Sequence, residues 1–317
     1  MSDQQIKEIH TKEIEFSELI FSLWTAKYSI LSFCSLIAIL SVFYSLWLPN
    51  VYESRALLAP RAEAGPGGAL SNLASQFGGL ASFAGVDLNS ISSQGLPKGL
   101  IAQEKMQSLG FFELYLYEDI LVDLMAASHW NQVDRKLIYD KEIYDEFSGN
   151  WLRDVEPPFL KKPSAQEAHE AFLEAVSIEE DKQTGLVTLS VRHISPDAAQ
   201  FWAELLISSV SKDLRDKEIN EAERSIEFLE KQREKTSLVS LEEIFAQLIE
   251  EQTKIIMLAN SSEDYVFDVI DKPALPEFKI GPKRALICIL STFLALVFAT
   301  CFYLIRFVIL YKPKLVD

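Results

Sequence analysis

Cysteine is missing from this chain outside two long apolar runs. Its three cysteines, Cys34, Cys288 and Cys301, all fall inside those runs. The segment between the runs, residues 49–284, therefore forms no disulfide bond and binds no metal ion through thiolates. With about 236 residues it is long enough to bury a core of its own. A cysteine-free domain suits a periplasmic location.

Motifs that mark catalytic or metal sites are missing as well. The four histidines, His10, His129, His169 and His193, stand alone, without an HExxH motif or a nearby cysteine. Neither a GxSxG elbow nor a Walker A sequence occurs, and solvated helix faces or turns explain the many acidic pairs. The sequence therefore predicts a protein that is not an enzyme and has no catalytic residues, metal or cofactor.

Positive charge is scarce between the runs. Residues 49–284 carry 24 basic against 40 acidic residues, and the net charge of the chain is −16. A protein binds nucleic acid through basic surface that displaces counterions from the phosphates. The composition therefore excludes nucleic acid as a partner.

The two apolar runs are long enough to cross a membrane. Residues 28–48 and 285–305 each hold about 21 residues without a charge, close to the ~20 that span the hydrocarbon as a helix. A cleavable signal peptide is the alternative for the first run, but the 27 residues before it carry five acids against three lysines. We predict two transmembrane helices, with segments 1–27 and 306–317 on one side and the domain 49–284 on the other.

Periodicity within the domain predicts an α/β fold. Apolar residues alternate along the predicted strands and recur at helical spacing along the predicted helices. The predicted strands are 51–59, two strands around the turn 181–185, and 265–271; the predicted helices are 100–127 and 164–176, the second with a capping box of Ser164 and Glu167.

A pair of longer helices follows. Ser195 and Pro196 open a helix signal that runs to about Lys235, a length of ~60 Å. A second capping box, Ser240 with Glu243, opens the next helix. Both have narrow apolar stripes (Ile219, Ala222, Ile226 and Leu229 on the first; Leu241, Ile244, Leu248, Ile255 and Ala259 on the second). We predict that residues 196–259 form a protruding helical hairpin that needs neighbours, which favours an oligomer.

Small residues recur along the transmembrane helices. Ser291, Ala295 and Ala299 repeat at i+4, as do Cys34 with Ala38 and Ser41 with Ser45. Such ridges let helices approach closely in lipid. The alternative is that each helix is a single anchor.

Residues 271–284, here called the proline-rich segment, join the domain to the second helix. Pro273, Pro276 and Pro282 forbid a helix, and Gly281 lies among them. We predict a stiff, extended connection that transmits geometry between domain and membrane. Alternatively, the prolines only end a strand and start a helix.

A stretch rich in glycine, serine and alanine occupies residues 65–95. Its composition is typical of a flexible loop. The alternative is a set of short helices that dock through apolar residues, and Phe77, Gly78 and Gly79 are then candidate contact residues.

Six stretches carry a resemblance to a known family. They are IEFSELIFSLWTAKYSI (14–30), ESRALLAP (53–60), FGGLASFAG (77–85), TGLVTLSVRHISPDAAQ (184–200), LIEEQTKIIMLAN (248–260) and YVFDVIDKPALPEFKIGPKRALI (265–287). In this order, between two membrane helices, they make the sequence similar to the Wzz-type chain-length determinants, the polysaccharide co-polymerases of Gram-negative bacteria.

The resemblance implies a location and a function. Family members lie in the inner membrane with both termini cytoplasmic, and their α/β base and helical hairpin are periplasmic. They form closed homo-oligomeric rings and set the modal length of O-antigen in lipopolysaccharide biosynthesis, or of a related lipid-linked polysaccharide, made by a Wzy-type polymerase.

Two other functions compete with this one. The first is a capsule or exopolysaccharide export scaffold that works with a separate tyrosine kinase and an outer-membrane channel. The second is a two-helix sensor, for which about 27 residues before and a dozen after the helices leave no room for a signalling module.

Overall fold

The chain falls into two compact units. The computed structural model describes residues 16–61, 97–235, 239–261 and 264–310. One unit comprises the residues up to Asn50 and from Ile280 onward, and the other comprises Val51–Lys279. The first unit holds the two apolar helices, and the second has mixed helix and strand content.

The elements of the described residues are numbered in chain order. The helices are α1 (Phe16–Trp47), α2 (Lys98–Met106), α3 (Leu109–Tyr115), α4 (Tyr117–Ala126), α5 (Ala165–Ala175), α6 (Pro196–Lys235), α7 (Val239–Ser261) and α8 (Arg284–Leu310). The strands are β1 (Val51–Pro60), β2 (Ala127–Asn131), β3 (Lys136–Tyr139), β4 (Tyr144–Asp145), β5 (Asn150–Trp151), β6 (Val176–Glu180), β7 (Val187–His193), β8 (Phe267–Asp271) and β9 (Lys279–Gly281).

An antiparallel sheet organises the second unit. Strands β6, β7, β1 and β8 are neighbours in that order, and each neighbouring pair is antiparallel. The predicted pair of strands around the turn 181–185 is confirmed as β6 and β7. Gly185 takes a positive φ of 70° in the turn between them. Val187, Leu189 and Val191 are fully buried on one face, as their alternation predicts.

The core lies between this face of the sheet and the helices. Helix α6 packs on β1 and β7, and α5 packs against α3 and α4. The largest side chains that are fully buried here are aromatic: Trp202, Phe112, Phe172 and Phe267. Burial of such side chains, at roughly 25 cal/mol per Å² of apolar surface, is the main favourable term for this unit.

The prediction of one helix over residues 100–127 is wrong, because the chain turns twice there. The side-chain oxygen of Ser108 accepts a hydrogen bond from the backbone N–H of Phe111, which caps a new helix, and Leu116 leaves helical geometry at φ −121° and ψ −37°. A straight helix of this length would extend for ~42 Å. The turns instead place Met106 and Ile120 in the same core, both fully buried.

The predicted cap of α5 forms only in part. Ser164 Oγ accepts from the N–H of Glu167 at 3.2 Å. The Glu167 carboxylate forms an ion pair with Arg153. Burial opposes ionisation less strongly than the Arg153 hydrogen bond favours it, so the pKa of Glu167 is below its ordinary value.

The long helix α6 begins and ends where the sequence predicts. Ser195 Oγ accepts from the N–H of Ala198 at 3.3 Å, so Ser195 caps the helix. The next helix starts earlier than predicted: α7 already includes Val239, so Ser240 lies inside its first turn and is not the capping residue.

Two further differences concern strands. Strand β8 begins at Phe267, two residues later than predicted. The region 127–151 forms two small hairpins, β2–β3 and β4–β5, for which the sequence made no prediction.

Candidate functional site

The two apolar helices pack against each other along their small residues. Candidate membrane spans run over Ala26–Trp47 and Arg284–Arg306, and only 11% of each apolar window is buried. The buried positions include Ser41 and Ser45 on α1 and Ala295 and Ala299 on α8. Ala295 and Ala299 therefore lie against α1 of the same chain.

The hydroxyl groups along this packed surface differ in their partners. Ser291, which is partly buried, bonds back to the carbonyl of Cys288 at 3.1 Å, and Ser41 bonds to that of Ala38 at 2.8 Å. The hydroxyl of Ser45 is buried and meets no hydrogen-bond partner among the described residues. An unsatisfied hydroxyl in this position is costly, so close packing must offset it.

Arg284 links the ends of the two helices, a contact that the sequence analysis missed. Its Nη2 donates to Asn50 Oδ1 at 3.2 Å and lies 3.5 Å from the carbonyl oxygen of Leu48. This carbonyl is at the C-terminal end of α1, where the helix dipole favours a cation. The basic residue just before the second apolar run was the signal that could have suggested such a cap.

One side of the helix pair is left open as a groove of about 1010 Å³. Three serines on α1 line it at three-residue spacing: Ser29, Ser32 and Ser35. Phe298 and Phe302 of α8 form the opposite wall. The groove therefore combines an apolar wall with a row of hydroxyl groups.

The proline-rich segment is anchored where it leaves the sheet. Residues 272–278 form neither helix nor strand, and Pro273 is buried. Ser54 Oγ of β1 donates to the carbonyl oxygen of Ala274 at 2.9 Å. Pro276 is partly buried, so the start of the segment is held against its own unit.

The remaining predicted site residues are apart from this anchor. Gly281 and Pro282 are partly buried and belong to the unit of the membrane helices, and the peptide bond between them is cis. Phe77, Gly78 and Gly79 lie outside the described residues, so their predicted contact role stays a prediction.

The long helices α6 and α7 contact each other but bury few residues. Beyond Ser211, the only residue of α6 that is buried is Ala222, and among the described side chains of α7 only Ala259 is. Ile244, an apolar residue of the predicted stripe on α7, is 43% exposed in the single chain. The contact between α6 and α7 therefore leaves part of the predicted narrow stripe uncovered.

The buried histidine of the second unit, His193, has structural partners. His193 donates from Nε2 to the carbonyl of Asp123 at 3.0 Å and accepts at Nδ1 from the N–H of Ser195 at 3.0 Å. Burial lowers the pKa of His193, so it is neutral and acts as a link between β7 and the start of α6. Among the described residues, no group of three or more His, Cys, Asp and Glu side chains is placed to hold a metal ion.

Comparison with known protein families gives a match for part of the chain. Residues 12–109 match the family model of the Wzz chain length determinant protein. None of the curated proteins matches the chain.

A solved structure described as a full-length bacterial polysaccharide co-polymerase is 15% identical in sequence, with 95% of this chain and all of that chain covered. Its TM-score is 0.36, too low to bear on fold or function. The match to the family model is therefore the comparison that bears on function. It covers residues on both sides of the first candidate membrane span. Residues 12–109 are therefore similar to those of the Wzz-type chain length determinants, as the sequence resemblance predicts.

Proposed function

We propose that this chain regulates, without catalysis, the modal chain length of O-antigen or a related lipid-linked surface polysaccharide. In this proposal it acts as an oligomeric ring in the bacterial inner membrane beside a Wzy-type polymerase. The observation that carries the proposal is the match of residues 12–109 to the chain length determinant model.

The arrangement of the membrane helices supports a two-pass protein. The two candidate spans lie at opposite ends of the sequence, and the unit Val51–Lys279 lies between them in the chain. Two crossings put both ends of the chain on one side of the membrane and this unit on the other. In our proposal the termini are cytoplasmic and the unit with the long helices is periplasmic.

The long helices support assembly with other copies. The second half of α6 and helix α7 carry apolar side chains that stay exposed: Phe228, Ile244, Met257 and Leu258. Exposed apolar patches on a folded chain mark interaction surfaces. We propose that a neighbouring copy covers them when α6 and α7 stand out from the base as a hairpin.

The proline-rich segment and the helix pair then couple the base to the membrane. Buried Pro273 and the bond from Ser54 to Ala274 hold one end, and Arg284 caps α1 near the other. A segment with three prolines has few accessible conformations, so it resists independent movement of the parts that it joins.

The first experiment is an electrophoretic ladder of surface polysaccharide from cells with the gene deleted and then restored. If deletion replaces a preferred length by a random spread and restoration returns the mode, the proposal stands. If the ladder is unchanged while capsule or secreted polymer falls, the function is that of an export scaffold with a separate kinase. If neither changes, the regulatory function is wrong.

A further inference from the structure

Two arginines share one buried carboxylate on the face of the sheet that points away from the core. Glu53 of β1 is directly opposite Arg192 of β7, and Arg55 is two residues further along β1 on the same face. The Glu53 side chain is 2% exposed, whereas those of Arg55 and Arg192 are 69% and 51% exposed. The carboxylate therefore lies beneath two guanidinium groups that face solvent.

Both arginines bind the carboxylate through the same nitrogen. Arg192 Nε donates to Glu53 Oε2 at 2.8 Å, and Arg55 Nε donates to Oε1. Neither guanidinium makes another hydrogen bond or ion pair with a described residue. The terminal Nη1 and Nη2 groups of both arginines remain available as donors.

The ionic state of the cluster follows from its contacts. Burial acts to raise the pKa of Glu53, but the hydrogen bonds and charges of Arg192 and Arg55 outweigh it and leave the pKa below its ordinary value. Glu53 is therefore ionised at neutral pH, and the cluster of two cations and one anion has a net charge of about +1. Such a cationic patch stands out on a chain whose net charge is −16.

The neighbouring positions of β7 and β6 on this face do not close the patch. Ser190 pairs with Arg55 across the strands, and Ser177 pairs with Ser190. Acidic residues first appear one pair further along, where Glu179 is opposite Thr188 and Asp271 is opposite Leu57. Small hydroxyl side chains thus separate the arginines from Glu179, and Asp271, a diagonal neighbour of Arg55, forms no ion pair with either arginine.

We propose that Arg55 and Arg192 form a binding site for a phosphate or diphosphate ester, with Glu53 as the residue that positions them. Guanidinium groups bind phosphate oxygens through paired N–H donors in a planar fork. Diagonal neighbours on adjacent strands are ~7–8 Å apart, so two forks can hold the oxygens of one diphosphate. Because the carboxylate occupies each Nε, it orients both forks outward.

Chain length places this site close to the membrane surface. Three residues separate Trp47, the last residue of α1, from Val51, the first of β1. An extended residue spans at most ~3.6 Å, so the six residues from Trp47 to Glu53 keep Glu53 within ~22 Å of the end of α1. Phosphate groups within that reach are carried by phospholipid headgroups and by lipid-linked saccharides.

The test uses the full chain in phosphatidylcholine nanodiscs, titrated calorimetrically with inorganic pyrophosphate at low salt. We expect saturable binding that weakens at least tenfold in Arg55→Gln and in Arg192→Gln and that falls as salt rises. The matched control is Arg135→Gln, which removes another exposed arginine that forms a single ion pair, with Asp197. Thermal unfolding of each variant verifies that the fold is intact.

Two outcomes overturn the proposal: no binding by the unaltered chain, or equal binding by all three variants. Nanodiscs that contain phosphatidylglycerol identify the source of the phosphate. A weaker apparent affinity for pyrophosphate there means that lipid headgroups occupy the site, and an unchanged affinity means that the ligand is a soluble or carrier-linked phosphate. The polysaccharide ladder can fail independently of this titration, since the site does not rest on the proposed function.

Discussion

The two halves of helix α6 have the same helical backbone conformation, but the first half is buried and the second half is exposed. From Pro196 to Ser211 the helix packs on the sheet, and this half contains nine of the ten buried residues of α6. From residue 212 to Lys235 only Ala222 is buried, although the helix continues without interruption. Helical geometry is therefore independent of burial here, and the two halves must be stable for different physical reasons.

The difference in burial shows which half of α6 is stabilised within the protomer itself. The first half is stabilised by the apolar surface that it buries in the core. The second half is stabilised by its contact with α7 and by pairs such as Glu227 with Lys231, whose side chains are exposed, so that each pair is weak. The first half thus belongs to an independent core, and the second is suited to contacts outside the protomer.

The largest effect on stability is expected at the buried end of α6. Trp202→Ala removes a fully buried indole and should lower the free energy of unfolding by about 3–5 kcal/mol. Phe228→Ala, at a side chain 61% exposed, should change it by less than about 0.5 kcal/mol. Denaturant unfolding of the detergent-solubilised protomer measures both. Equal losses would remove the distinction between the two halves.

A smaller effect is expected where α7 covers α6. Ile255 is partly buried, so Ile255→Asp puts an unpaired carboxylate at that contact and should cost about 1–3 kcal/mol. Thr253→Asp adds the same charge at an exposed position of the same helix and serves as the control. The same denaturant experiment compares them. Normal unfolding of the Ile255 variant would show that this contact contributes nothing.

Stability should also depend on pH through the start of α6. His193 is held neutral in the folded chain because burial lowers its pKa, whereas in the unfolded chain it takes up a proton below about pH 6.5. Proton uptake then favours the unfolded state, so stability falls as the pH drops from about 6.5 toward the folded pKa. Thermal unfolding between pH 7.5 and pH 5 should show this decline.

The control for the pH dependence is His193→Gln, which cannot titrate. Its unfolding temperature is lower at neutral pH, because two hydrogen bonds of His193 are disturbed. It should lose the part of the pH dependence that lies just below 6.5. If the variant retains the full slope, another group is responsible.

Exposed apolar residues on the second half of α6 should affect assembly and leave protomer stability unchanged. Phe228→Ser is expected to weaken self-association by about tenfold or more while the unfolding curve of the protomer stays the same. Phe201→Ser, at an exposed aromatic residue of the first half, is the control. Light scattering of the solubilised protein gives the size of the assembly. An unaltered size for the Phe228 variant would contradict the proposed contact.

An effect on function is expected at the proline-rich segment. Replacing Pro273, Pro276 and Pro282 together with alanine should broaden the polymer-length distribution at normal protein levels, because the connection becomes more flexible. Pro157→Ala, at an exposed proline of the second unit, should leave the distribution as it is. An unchanged distribution in the triple variant would remove the segment from the mechanism.

Local signals explain which elements could be predicted. Ser195 caps the helix through its side chain, and Pro196 is suited to the first helical position, so α6 begins where its sequence indicates. The alternation at Val187, Leu189 and Val191 likewise specifies the buried face of β7. The break at Ser108 was missed because apolar spacing continues across it, and only packing against α5 shows that the chain turns there.

The candidate sites could be predicted only in part. Ala295 and Ala299 were recognised from their spacing, but the structure was needed to show that α1 of the same chain covers them. The cluster of Glu53, Arg55 and Arg192 has no sequence signature, since 139 positions separate Glu53 from Arg192. Strand register alone brings these charges together.

The sequence by itself determined the two apolar spans, the capped long helix, the buried face of the hairpin and the resemblance to the chain length determinants. All of these depend on the chemistry of residues close together in the chain. Tertiary structure decided the division of residues 98–126 into three helices, the packing partner of the small residues on the membrane helices, and the pairing of two arginines over Glu53. These depend on which distant segments come into contact, and a local pattern cannot specify that because many partners would satisfy the same apolar or charged face.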